Sequence, residues 1–234
     1  MNEKINESEQ KIQEKGKITN NEKIKKIIFL IIVFLLVAFF SFFAFLVASN
    51  ARYKPIIYLY PTQEEIITVS LGHKENITSS YPKYYNNWKV LAKPNGDLNY
   101  IETNQNLYGL YYESIGVLNY KVKKEGFCVE GKDIAGFLED KLAKLGLTER
   151  EAEEFIIYWL PKLENNKYNY IRFATKEEID TDMPLNITPS PDTIIRVLMT
   201  YKGLSRAIDV EEQIIETPER KGFVAVEWGG TEIK

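Results

Sequence analysis

Two glutamates and one arginine are the side chains whose type and setting best suit them to chemistry. Glu113 lies in the aromatic run LYGLYYESI and Glu227 in the apolar run FVAVEW. A carboxyl group in such surroundings has a raised pKa and can serve as a general acid. Two of them across one cleft could hydrolyse a glycosidic bond. Arg196 interrupts TIIRVLMTY and shares a strand face with Ile194 and Leu198. Burial of that face would demand an anionic partner, because an unpaired buried charge costs several kcal/mol. Glu113, Glu227 and Asp192 are the candidates. A structural ion pair is the favoured reading of Arg196, with anion binding as its functional alternative. For the two glutamates, solvent exposure or pairing with arginine is favoured over catalysis.

Tyrosines supply the second set of candidates. Tyr58, Tyr60, Tyr81, Tyr84, Tyr85, Tyr108, Tyr111 and Tyr112 fall close together in the chain. A tyrosine presents a flat apolar body with a polar tip, which suits sugar or peptide recognition. Aromatic pairing across a sheet is the simpler reading of most of them. The binding candidates are Tyr81, Tyr84 and Tyr85 in the loop SYPKYYNNW, where rigid strands would present a variable surface, together with Tyr111 and Tyr112.

Composition excludes several chemistries. The chain has one cysteine, Cys128, and one histidine, His73. No internal disulfide and no Cys/His zinc site can be built from these, and no metal or cofactor is expected. His73 stands beside Gly72 in a turn, with no Gly-x-Ser-x-Gly elbow to partner it. Phosphate-binding glycine loops are absent from the sequence. The formal charge of −3 argues against a nucleic-acid partner, which needs a basic surface. Glu177, Glu178, Asp180 and Asp182 lack the spacing of a calcium loop and read as a solvated acidic loop.

Positioning these residues falls to a chain with two unlike parts. Residues 27–48 read IIFLIIVFLLVAFFSFFAFLVA, with Ser41 as the only polar side chain. As a helix this run spans about 33 Å, enough for a hydrocarbon core of about 30 Å. Lys15, Lys17, Lys23, Lys25 and Lys26 precede it, whereas Arg52 and Lys54 follow. That bias puts the N-terminus in the cytoplasm and the rest outside. The run exceeds a signal-peptide core, which favours an uncleaved anchor over a cleaved leader. Residues 1–26 form a polar cytoplasmic tail too poor in apolar residues to fold. Residues 49–54 are a linker, and 55–234 form one extracytoplasmic domain.

The expected fold of that domain is α+β: antiparallel and β-rich, with an inserted αα-hairpin. Residues 56–60, 65–71, 88–92 and 107–115 are strand candidates, and Asn95-Gly96 is a hairpin turn. Ile134, Phe137, Leu138, Leu142 and Leu145 fall at helical spacing, and Gly146 supplies a left-handed stop. Thr148 and Glu151 form a capping box for a second helix. Strands return at 168–174, 193–201 and 223–228. The 193–201 run is apolar on both faces, which predicts a central strand.

Several runs together resemble a family of uncharacterised proteins of bacteria and fungi. They are KPIIYLYP (54–61), LYYE (110–113), LGLTEREAEEFIIYWLP (145–161), IRFA (171–174), LNITPSPDTIIRVLM (185–199) and RKGFVAVEWGG (220–230). The resemblance implies a recurring domain of defined extent and no particular activity. The functional expectation is therefore a membrane-anchored binding or structural module of the cell envelope. Its expected partners are the lipid bilayer, through residues 27–48, and an envelope glycan, peptide or protein. A carboxylate-dependent hydrolase acting on a glycan is the alternative.

Overall fold

The computed structural model describes residues 29–39 and 52–233, which belong to two separate units, 1–50 and 51–234. In the first unit, residues 29–39 are a helix, α1. Its large side chains are all exposed, Phe34 at 71% and Phe29 at 66%. Among the described residues no helix is long and apolar enough to cross a membrane. The remainder of the expected anchor, residues 27–28 and 40–48, lies outside the described residues, as does the tail 1–26.

The second unit opens with a run of strands: β1 (Arg52–Tyr53), β2 (Ile56–Tyr60), β3 (Glu65–Leu71), β4 (Ile77–Tyr81) and β5 (Trp88–Ala92). It continues with β6 (Leu98–Tyr100), β7 (Gln105–Leu107), β8 (Leu110–Ile115) and β9 (Glu125–Glu130). Two helices follow, α2 (Ile134–Lys144) and α3 (Glu149–Leu163). After β10 (Tyr168–Phe173) come a short helix α4 (Lys176–Asp182) and β11 (Leu185–Thr188). The chain closes with β12 (Thr193–Leu204), β13 (Glu211–Glu212) and β14 (Val224–Glu232). The fold is α+β and β-rich, built on two sheets.

The larger sheet runs β8-β2-β14-β12-β10-β9-β13, with β4 on the far side of β8. β1 and β2 pair with β8 in one continuous register, Arg52 with Ile115 through Ile57 with Leu110, so they are one strand interrupted around Pro55. The smaller sheet runs β11-β3-β5-β6-β7. β12 holds the centre of the large sheet, as its apolar sequence predicts. Its pairing with β14 is parallel, as is that of β13 with β9, so the expected antiparallel sheet is mixed. The chain between β12 and β14 carries no helix, and β14 starts beside the start of β12 and runs in the same direction.

Strand alternation divides the side chains of the large sheet between two cores. Ile195, Val197, Met199, Val224, Val226 and Trp228 face the helical hairpin and pack on Leu138, Leu142, Phe155 and Trp159. On the opposite face, Ile57, Leu59, Leu110, Tyr112 and Ala225 meet the small sheet through Ile67, Val69, Trp88 and Val90. A third, smaller core joins Tyr170 and Leu198 to Ile179 of α4. The layers are thus helices, large sheet, and then small sheet beside α4.

The hairpin forms where its sequence signals stand. Gly146 adopts φ +86° after α2. Thr148 accepts from the backbone N–H of Glu151, whose carboxylate accepts from Thr148 N. The two helices bury their apolar stripes on β12 and β14. Gly229 and Gly230, expected to follow the last strand, lie inside β14. A Cβ on Gly230 would sit 2.8 Å from the Trp159 ring and 3.0 Å from the Met199 carbonyl oxygen. These glycines serve close approach of backbone and helix, not a turn.

Candidate functional site

Arg196 and Glu227 stand opposite one another in the parallel pairing of β12 with β14. Their neighbours along each strand point into the helical core, so both side chains emerge on the other face, next to α4. Arg196 is 3% exposed and Glu227 5%. Arg196 Nε donates to Glu227 Oε2 at 2.5 Å, Nη1 to Asp180 Oδ1 at 2.7 Å, and Nη2 to the Met183 carbonyl oxygen at 2.8 Å. The Tyr112 hydroxyl donates to the second Glu227 oxygen at 2.7 Å. Burial opposes charge on the guanidinium, yet the carboxylate of Glu227, with Asp180, holds its pKa above the ordinary arginine value. Burial and the Glu227 charge push the Tyr112 phenol well above 10, so Tyr112 is a donor and not a base.

Glu227 is therefore the expected buried partner of Arg196, joined by Asp180, which sequence reasoning placed in a solvated loop. Asp192 does other work: its Oδ2 accepts from Phe223 N at 2.7 Å, where β14 begins. The enclosed space beside Tyr112, Asp182, Arg196 and Glu227 is about 20 Å³. That is the size of one water molecule and far too small for a sugar or peptide. An anion larger than a water molecule has no room beside Arg196.

The acidic stretch 176–182 is helix α4, not a loop. Thr175 and Glu178 form a capping box, a Thr-x-x-Glu signal present in the sequence and masked there by the density of carboxylates. Glu178 Oε2 accepts from Arg172 Nη1 at 2.7 Å and Oε1 from Lys123 Nζ at 2.5 Å. Arg172, 2% exposed, also donates to Glu125 at 3.0 Å. Burial alone would raise the Glu178 pKa, but bonds from Lys123, Arg172 and the Thr175 N–H outweigh it and lower it to about 2. The helix thus clasps two buried arginines of adjacent strands, Arg172 through Glu178 and Arg196 through Asp180. Among the described residues, no cluster of three or more His, Cys, Asp or Glu could hold a metal ion.

Glu113 is not brought to Glu227. It follows Tyr112 in β8 and so projects from the opposite face. There it pairs with Lys54 and accepts from the Tyr111 hydroxyl at 2.6 Å. The sheet itself separates the two candidate acids, so they cannot flank one substrate bond. Glu151, fully buried, is likewise held by both terminal nitrogens of Arg220 at 3.0 and 3.2 Å.

The tyrosine candidates divide sharply. Tyr84, expected in a binding loop, is 7% exposed. Its hydroxyl accepts from Leu71 N at 2.8 Å and donates to the Asn86 carbonyl oxygen at 2.6 Å, and its ring packs edge-on against Trp88. Tyr112 is buried in the same core. Both are corrected from binding residues to core residues. Tyr111 is half-buried and tied to Glu113. Tyr81 and Tyr85 remain accessible, 53% and 68% exposed, with Tyr81 bonded to Gln105. Tyr58 and Tyr60 stack on each other, and the Tyr58 hydroxyl donates to Glu154 of α3 at 2.6 Å.

No protein-family profile, curated protein or solved structure matches the chain.

Two outcomes are expected from this geometry. Arg196→Met leaves the buried Glu227 without its cation, while Asp180 keeps Lys176, and lowers unfolding free energy by about 3–5 kcal/mol in urea titrations. Arg196→Met/Glu227→Leu, which removes the buried charges together, recovers most of that loss; a single-variant loss under about 1 kcal/mol contradicts the assignment. The Glu178 pKa is depressed from 4.5 to about 2 in the folded chain. Its stabilising contribution is therefore complete above the unfolded value and disappears as pH falls from about 4.5 to about 2. Urea midpoints measured across that window fall less steeply in Glu178→Gln than in the wild type, and equal slopes would remove Glu178 from the acid response.

Proposed function

We propose that this protein is a binding module of the cell envelope, anchored by residues 27–48 in a membrane with its 55–234 domain outside. The observation that carries the binding reading is the internal neutralisation of the candidate catalytic groups. Glu227 is closed in by Arg196 and Tyr112, Glu113 is held by Lys54 and Tyr111 on the other side of the sheet, and the space beside Arg196 admits only a water-sized molecule. Groups so occupied are poor general acids for an external substrate. What the domain offers outward is the exposed pair Tyr81 and Tyr85 and the outer surface of the helical hairpin.

The membrane reading is supported by α1. A helix that is apolar all round, with each of its large side chains exposed, has no stable place in water. Residues 29–39 alone make about 16 Å of helix, and the apolar sequence continues on both sides to the length a bilayer needs. The lysines before the run set the orientation.

Fractionation of cells expressing the full chain with a C-terminal tag tests this reading. The chain is expected to resist extraction by alkaline carbonate, to dissolve in detergent, and to lose its tag to protease added outside intact cells or spheroplasts. Recovery in the carbonate supernatant, or a tag protected until the cells are broken, would overturn it.

A further inference from the structure

On the outer surface of the hairpin, α2 and α3 leave a groove of about 570 Å³. Leu147, Ala152 and Ile156 line it with apolar surface, and Ile157 stands beside them 67% exposed. The charged residues along it are Glu139 on α2 and Glu149 and Glu153 on α3. Among the described residues these three carboxylates form no ion pair, whereas their neighbours do: Asp140 pairs with Lys141 and Lys144, Glu154 with Arg150, and Glu151 with Arg220. An apolar trough bounded on both helices by unneutralised negative charge is complementary to an apolar stripe bounded by positive charge.

We propose that this groove docks an amphipathic helix of a partner protein, with an apolar face set between lysines or arginines. The packing would be helix-in-groove, adding a third helix to the hairpin. Glu149, Glu153 and Ile157 follow one another at four-residue spacing along α3, so a docked helix meets two carboxylates and then an apolar side chain along one edge. Glu139 meets its other edge. Charge argues against the other occupants. A second copy of this chain joined through the same groove would set the two acidic rims against each other. An anionic membrane surface would be repelled in the same way.

The inference rests on the reading of this domain as a binding module and names the partner's chemistry. Its test uses the full chain in detergent and two synthetic peptides of roughly 18 residues. One carries leucines at i, i+3, i+4 and i+7 flanked by lysines; the other has every lysine replaced by glutamate. Fluorescence anisotropy is expected to show binding of the lysine peptide only, weakening as salt is raised. Ile157→Ser, and separately Glu139→Lys/Glu149→Lys/Glu153→Lys, are each expected to weaken it at least about tenfold. All four positions except Ile157 carry exposed carboxylates, and Ile157 is itself exposed, so unchanged thermal unfolding confirms that the variants fold. No binding, equal binding of the glutamate peptide, or wild-type affinity in the charge-reversed variant would overturn the proposal. So would a dimer that the Ile157→Ser variant dissociates. Peptide binding is independent of membrane topology, so failure here beside a carbonate-resistant anchor removes the groove and leaves the anchoring intact.

Discussion

A guanidinium that cannot reach water organises this domain. Burying the charge of Arg196 without partners would cost several kcal/mol, a large share of a fold's whole stability. Each of its three nitrogens donates to a partner: Nε to Glu227 on the neighbouring strand, Nη1 to Asp180 on α4 and Nη2 to the backbone of Met183. Tyr112, from a strand two places beyond, satisfies the second oxygen of Glu227. Elements far apart in the chain are therefore fixed by one cluster. A shift of one residue between β12 and β14 would send one of the two charges into the apolar core beneath the helices. The seam selects register as well as contributing to stability. Arg172 with Glu178 and Glu125 repeats the device one strand away.

The same closure is what supports the proposed binding reading. Chemistry needs a group that is both reactive and reachable, and here the carboxylates of Glu227, Glu151 and Glu178 are engaged by arginines. The two glutamates that look catalytic by sequence are on opposite sides of a sheet. In the proposed binding reading, outward function falls to surfaces: the exposed Tyr81 and Tyr85 and the acidic, apolar trough of the hairpin. The proposed N-terminal membrane anchor would concentrate such weak binding surfaces at one place.

Much of the frame was legible from local chemistry. Gly146, the Thr148–Glu151 box and the 3.6-residue spacing of Leu138 and Leu142 specify the hairpin by themselves, because caps and helix faces depend on neighbours within a few residues. The burial of Arg196 was legible from its apolar flanks. Its partner was not, since choosing Glu227 over Asp192 or Glu113 requires the register of strands paired across the fold. The opposite projection of Glu113 and Glu227 depends on the same register. Tyr84 and Tyr85 are adjacent and alike in sequence, yet one ring is in the core and the other in solvent, a difference set by the small sheet that receives Tyr84. The direction of β14 and the role of Gly229-Gly230 likewise follow from packing that no local signal records. α4 was legible in principle through Thr175 and Glu178, but four carboxylates in seven residues resemble a loop until two arginines are placed against them.

Native-state hydrogen exchange tests the central claim most directly. If the Arg196 seam closes the domain, backbone amides of β12 and β14 around Arg196 and Glu227 exchange only through global unfolding, with the free energy found by urea titration. Exchange of those amides at a much lower free energy, while the hairpin core around Leu138 and Phe155 stays protected, would contradict the account.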